Sequence, residues 1–382
     1  MKAHRVLVAL LALFALTASA CGSDPATGTA EPAPAVSEAQ PAAGEEETAS
    51  EMTALEAELY EAAQEEGMFA WWDNHDLDAA HVVIDAFKAR YPGVEVEYLL
   101  ATDDEVLERY LLERQAGQNT ADLFPQDRWF AITESGAPTN VADLVEDTGY
   151  DEQLMTTEGD GVQVTFSAWG VAYNTNLVDE ADVPTSWEDL LDPKYQGRMV
   201  MEARLKNFIA ATDIPAYEGK HEGLWEEEWI VDYLEGLQSQ ELRFETGGTP
   251  TVTLVAAGES PMAIGIYLAV VEKLKGDGAP VEFAPLDKTI AEAAAFYTVP
   301  DDAPHPDAAR LFLRWLMTEE GQRLVDEVLD RGNPFPESGT ETAAFLESIG
   351  STPVVGGPEL YEGDTYQRLE QRYLEAMGLT AS

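Results

Sequence analysis

Apolar residues along this chain follow several distinct patterns, and each predicts a different kind of element. Val6 to Leu16 is an unbroken apolar run of 11 residues, preceded by Lys2 and Arg5 and followed by small residues, Ala18, Ser19 and Ala20. Such a run is too short to span about 30 Å of hydrocarbon and reads as an export signal, residues 1–20. Residues 22–50 carry almost no large apolar side chain. Chain entropy wins over burial in such a segment, so a disordered acidic tether is expected over 21–50. From residue 55 the pattern becomes periodic. A polar helix, Leu55 to Glu66, precedes a short apolar run, Gly67 to Trp72, that suits a buried strand. Leu77, Ala80, Ile84, Phe87 and Tyr91 then recur at three-to-four spacing on one helix face. Asp73, Asn74 and Asp76 start that helix, and Pro92-Gly93 ends it. Val94 to Tyr98 alternates as a half-buried strand does. Asp103-Asp104 opens a second helix, with Val106, Leu107, Tyr110 and Leu111, and Ala121 to Phe124 is a third strand.

This βαβαβ rhythm predicts an open parallel sheet covered by helices, whose ligands lie beyond the carboxyl ends of the strands. Further on, Gly170 to Tyr173 and Pro261 to Ile266 read as strands, and Ser186 to Leu191 as a short helix. His305-Pro306 starts a helix with Leu311, Phe312, Trp315 and Leu316 on one face, and Tyr366 to Met377 is again helical by period. There is no internal repeat.

Composition narrows the function classes. Among 382 residues, 72 Asp+Glu face 22 Lys+Arg, for a net charge of −50. Basic residues are too sparse to displace phosphate counterions or to grip an anionic membrane, which excludes nucleic acid and polybasic membrane binding. The length and the 45% hydrophobic content predict two domains or one two-lobed body. Setting aside the +2 signal and the six acids of the tether leaves −46 on the body after residue 50. Self-repulsion of that size is screened by salt within about 8–10 Å, so a salt-tolerant host and a protein that gains stability with salt are expected.

The single cysteine, Cys21, permits no internal disulfide. With the small residues before it, it resembles a bacterial lipobox, whose Cys becomes the lipidated first residue; that pattern prefers Leu where Ala18 stands. The resemblance implies an exported protein, lipid-anchored to the outer face of the cytoplasmic membrane, at the cell surface or in a periplasm. Plain secretion is the alternative.

Four further segments together resemble the bacterial extracellular solute-binding proteins of ABC importers, and in particular the ferric-ion, polyamine and phosphonate-type receptors. They are Asp85 to Val96; Ala121 to Phe124 with Glu134-Ser-Gly; Val171 to Thr175 with Pro184 to Arg198; and the ordered set Gly258 to Ala263, Gly278 to Val281 and Ala303 to Ala309. The resemblance implies an α/β, type II periplasmic-binding-protein fold of two lobes, with mixed sheets flanked by helices and a ligand cleft between the lobes. Lobe one is expected over 55–165 and 287–325, lobe two over 169–283 and 326–382, with hinge crossings near 166–168 and 284–286. The implied role is the extracytoplasmic substrate-binding component of an ABC importer, which closes on a small solute and delivers it to permease subunits. The expected protein is a monomer without a cofactor, any metal being the transported ligand. Ferric ion, polyamine and small organic anion are the candidate ligands, with a sugar receptor of the same fold as the alternative. A tethered sensor and a secreted hydrolase are the readings from other classes. For a hydrolase there is no Gly-x-Ser-x-Gly elbow and no His-Glu-x-x-His helix.

Candidate ligand residues sit at strand tips. The first tip offers Trp72, Asp73, Asn74 and His75, though Asp73 is equally a helix cap and one of the adjacent tryptophans belongs in the core. The third tip offers Gln126, Asp127, Arg128 and Trp129, where an Arg fork suits sugar hydroxyls, carboxylate or phosphate. Lobe two offers Ser167 and Trp169 at the crossing, Glu202, Arg204, the Gly248-Thr249 nest and Tyr267. His75 stands where ferric-ion relatives carry a metal-ligand histidine, and Tyr267 where they carry adjacent tyrosines; here its neighbours are Ile266 and Leu268. A hard trivalent cation wants several anionic oxygens, and one phenolate supplies too few.

Overall fold

A computed structural model describes residues 52–379, apart from 127, 137, 157, 204, 214–223, 289, 294 and 351–363. The export signal, Cys21, the tether, Asp127 and Arg204 therefore lie outside the described residues.

The body opens with helix α1 (Ala54–Glu66), whose Thr53 cap accepts a hydrogen bond from Glu56 N. Strand β1 (Met68–Asp73) follows, buried along nearly its whole length. Helix α2 (Leu77–Arg90) returns the chain to β2 (Glu95–Leu100), which runs parallel to β1 with Met68 opposite Glu95. Ala80, Ile84 and Phe87 are buried as their spacing predicts. Leu77 is exposed, because the first residue of α2 lies past the end of β1. Helix α3 (Asp103–Gln115) starts in a capping box between Thr102 and Glu105, which satisfies two helix-end donors at once. It leads to β3 (Phe124–Gln126) and α4 (Trp129–Ser135). Trp71 pairs in parallel with Leu123, so the β1, β2, β3 segment is the parallel βαβαβ unit expected from the sequence.

The next strand, β4 (Phe166–Asn174), is the structural crossroads. Its second half pairs with β7 (Met262–Tyr267) and β8 (Val281–Ala284); its first half pairs with β9 (Ile290–Ala293). Between these come β5 (Met199–Glu202), α5 (Lys206–Ala210), α6 (Glu227–Gln238), β6 (Arg243–Glu245), α7 (Gly248–Ala256) and, after β7, α8 (Leu268–Gly276). The resulting sheet has the order β6-β5-β7-β4-β8, with β5 parallel to β6 and β7 and the rest antiparallel. The register slips between Gly170 and Val171, leaving Gly265 as the extra residue of β7. Gly265 has φ 76°, and a Cβ there would come within 3.2 Å of the Trp169 ring. Glycine serves both needs of this bulge: the left-handed backbone and the room for the indole.

Strand β10 (Phe296–Thr298) then returns to pair antiparallel with β3. Helix α9 (Pro306–Leu316) buries Leu311, Phe312, Trp315 and Leu316 and packs against both α1 and β1. Helix α10 (Glu319–Leu329) packs on α9 and α2, α11 (Glu341–Ser348) approaches β4, and α12 (Thr365–Ala376) packs on α6. The late helices thus divide between the two sheets. Arg314 is buried within α9, and Leu144 O, Glu146 O and the Thr53 hydroxyl satisfy its guanidinium, which makes the buried charge tolerable.

Two aromatic cores result. One joins Phe69, Trp71, Phe87, Phe312 and Trp315. The other runs continuously from Trp72, Tyr110 and Phe124 on the first sheet to Trp169, Trp187, Phe208 and Trp225 around the second. Adjacent strand residues point to opposite faces, which sends Trp71 and Trp72 into different cores.

Candidate functional site

The carboxyl ends of β1, β3, β5, β6 and β7 carry most of the predicted site residues, with helices starting after them, while Ser167 and Trp169 lie in the first half of β4. The first tip holds a buried polar chain. Asp73 Oδ2 accepts from Trp71 Nε1 at 2.9 Å and from the Tyr297 hydroxyl at 2.6 Å, and Asp73 Oδ1 accepts from Asn74 N at 2.6 Å. His75 Nε2 lies 3.2 Å from the Tyr297 oxygen. Since the Tyr297 proton goes to Asp73, Nε2 is the donor of that pair. The Tyr98 hydroxyl donates to His75 O at 2.6 Å.

Burial governs the protonation of this chain. It raises the Asp73 carboxyl to about 6, against the opposing pull of Tyr297, Asn74 N and the Arg331 charge. Burial, with the Arg331 charge added, holds the His75 imidazole well below its usual range. Burial and the neighbouring Asp73 push the Tyr297 phenol well up. His75 is therefore neutral near pH 7, and its 3.6 Å approach to Asp73 is not an ion pair there. The imidazole Nε2 is engaged with Tyr297 instead of facing an open coordination position.

The other predicted residues fall into three groups. Trp72, Ser167 and Trp169 are buried. Arg109 covers the Trp72 ring at 4.2 Å, Trp169 stacks on Trp187 at 4.6 Å, and Ser167 Oγ accepts from Ala269 N in the first turn of α8. Gln126 is also buried, its amide joining Asp103 O to Arg128 N. A second group is accessible but engaged. Arg128 pairs with Asp104 at 3.4 Å, Asn74 Nδ2 donates to Asp103 at 2.7 Å, and the Tyr267 hydroxyl donates to Asn207 Oδ1 at 2.9 Å. Glu202 ends β5 beside the start of α7. Trp129 begins α4, and its side chain lies outside the described residues. Among the described residues, no cluster of three or more His, Cys, Asp or Glu side chains is placed to share a metal ion.

The third group, Asn74, His75 and Thr249, lines a cavity of about 480 Å3 together with Asp76, Lys273 and Arg331, which the sequence did not single out as ligand residues. Three helices begin on it: α2 behind Asp76, α7 at Gly248-Thr249, and α8 just before Ala269 and Val270. Their first-turn amides have no intrahelical partner and carry the positive end of the helix dipole. Lys273 Nζ reaches across to Asp76 Oδ2 at 2.5 Å. Arg331 follows the left-handed Asp330 (φ 51°) at the end of α10, and its carbonyl accepts from Phe166 N, at the start of β4, at 2.9 Å. The sequence reading missed Arg331. The only local signal is the Asp330-Arg331-Gly332 helix stop, which says nothing of the distant strand tip it meets.

Comparison with known proteins sets this architecture in a family. The substrate-binding protein of an Agrobacterium tumefaciens ABC transporter superposes with a TM-score of 0.66 at 17% identity, covering 82% of this chain and 96% of that one. A ferric binding protein from Campylobacter jejuni (TM-score 0.61, 18% identity) covers 81% of this chain and 99% of its own. The periplasmic binding protein AfuA of Actinobacillus pleuropneumoniae, solved with fructose-6-phosphate, has a TM-score of 0.61 at 18% identity, over 82% of this chain and 99% of its own. An uncharacterized protein of Haemophilus influenzae is 28% identical over 145 residues, 38% of this chain; the match spans 40% of that protein's length. The fold is that of the periplasmic binding proteins, the class expected from the sequence. The family model for bacterial extracellular solute-binding proteins matches residues 83–346, and the chain belongs to that family, one of binding proteins and not of enzymes.

Proposed function

We propose that this protein is the extracytoplasmic substrate-binding component of an ABC importer, and that the cavity between α2, α7, α8 and Arg331 receives the anionic group of a small organic solute. The two sheets are the two lobes, hinged where β4 and the segment after β8 cross. The observation that carries the ligand class is that residues from three helix starts line one cavity together with Arg331. Of the acids beside them, Asp76 is paired with Lys273. Direct ferric binding is disfavoured, because His75 Nε2 and the Tyr267 hydroxyl both have hydrogen-bond partners within the protein.

Native mass spectrometry of protein purified from its host, with elemental analysis, tests the ligand class. A co-purified carboxylated or phosphorylated solute fits the reading; stoichiometric iron or a polyamine overturns it. The Cys21 lipid anchor, the outer-face location and the permease partner belong to the same proposal. Labelled fatty acid should enter the protein, and Cys21→Ala should abolish the labelling; equal labelling of the variant would refute the anchor.

A further inference from the structure

We propose that the Asp76–Lys273 ion pair is an electrostatic latch that holds the closed form shut across the mouth of the cavity. The proposal rests on the reading that the two sheets move as lobes. Asp76 caps α2, which covers the first sheet; Lys273 lies near the end of α8, which covers the second. They are 197 residues apart in sequence and 2.5 Å apart in space, and both line the cavity. Among the described residues, four other ion pairs each keep to one side: Arg114–Asp301 and Arg310–Asp143 tie elements around the first sheet, while Lys275–Glu282 and Arg368–Glu227 tie elements around the second.

The geometry at Asp76 suits a latch. Oδ1 accepts from Asp78 N at 3.1 Å and Oδ2 from Lys273, so the cap fixes the carboxylate in the direction of its partner. The Lys273 hydrogen bond and the Asp78 amide hold the Asp76 carboxyl below its usual range, so it stays charged at any ordinary pH. The other charged residues lining the same cavity are Asp78, Asp330 and Arg331. In a body of net charge −46 the two acidic lobes repel one another, and an attractive contact between them offsets part of that repulsion in the closed form. Both side chains are about half exposed, so salt weakens the pair, and its strength is that of a surface pair: about a two- to fivefold change in the closed-to-open ratio.

The test is single-molecule FRET between dyes at Leu112→Cys and Leu177→Cys, exposed positions beside the first and second sheets, in the full body with no other cysteine. Asp76→Asn removes the charge and keeps a side chain that caps as well as Asp; Lys273→Gln removes the other partner. In 50 mM NaCl each substitution should shift the population toward the longer distance by about two- to fivefold, the double variant no further than either single one, and all should converge with the wild type in 1 M NaCl. The result is also read against protein stripped of solute by unfolding and refolding. A wild type that opens on stripping, while neither substitution changes its distribution or the two effects simply add, overturns the latch and leaves the closure reading standing. A wild type whose distance is the same before and after stripping overturns both.

Discussion

Asp73 is the residue whose removal reads out the buried chemistry at the first strand tip. Its carboxyl is pushed up from 3.8 to about 6, first by burial. The sign follows from linkage. An acid whose folded value exceeds its unfolded value stabilises the fold while protonated; that contribution is full below about 3.8 and is lost as pH rises through about 6. At about 1.4 kcal/mol per unit, the whole change is about 3 kcal/mol, of which about 2 kcal/mol falls between pH 4 and pH 7. Many other acids titrate in the same range, so the informative quantity is a difference. Asp73→Asn removes the titration but replaces one of two acceptor oxygens with an NH2 donor, while Trp71 Nε1, the Tyr297 hydroxyl and Asn74 N all still donate toward the group. The variant should be about 1–3 kcal/mol less stable than the wild type at pH 4, where the native carboxyl is protonated and this mismatch dominates. That deficit should shrink by about 2 kcal/mol by pH 7. Urea denaturation of both proteins at pH 4, 5, 6 and 7 in high salt measures it. A stability difference that does not vary with pH would refute the assignment of a buried, upward-shifted carboxyl.

Other perturbations have separate outcomes. Arg331→Met should weaken the thermal stabilisation given by the co-purified solute, costing about tenfold to a hundredfold in affinity for the loss of a charged hydrogen bond; unchanged stabilisation would remove Arg331 from the site. Trp169→Ala should cost about 3–5 kcal/mol in urea denaturation, because its ring stacks on Trp187 at 4.6 Å and meets Phe208 edge-on at 4.9 Å; a loss below about 1 kcal/mol would mean that the stack is not formed. The melting temperature should rise by several degrees between 50 mM and 1 M NaCl as salt screens the −46 body, and an unchanged value would contradict the repulsion argument.

Local elements were largely legible in the sequence. The three-to-four spacing of Ala80, Ile84 and Phe87, the alternation from Val94 to Tyr98 and the Pro306 helix start each depend on residues close in sequence, and each element forms where the pattern places it. Contacts between distant segments were not. Tyr297 donates to Asp73 across 224 residues and Lys273 meets Asp76 across 197, and no local period encodes either pairing. Tryptophan is the instructive case. A strand-tip indole suggests a ligand platform, yet Trp72 lies under Arg109 and Trp169 against Trp187, because an indole buries more apolar area in a core than on a wet cleft wall. Arg331 eluded the sequence reading for the opposite reason. It looks like the last charge of an ordinary helix end, and only the packing of α10 against α2 brings it to the strand tip.

The central claim is that a small anionic solute is held between the two sheets, against Arg331 and the starts of α2, α7 and α8. A crystal structure of the protein as purified from its host, still carrying its solute, tests this most directly. Density for one solute in the cavity, with its anionic group within hydrogen-bond distance of Arg331 and the Thr249 amide, is the predicted result; a solute or metal bound elsewhere, with Arg331 turned away from it, would contradict the account.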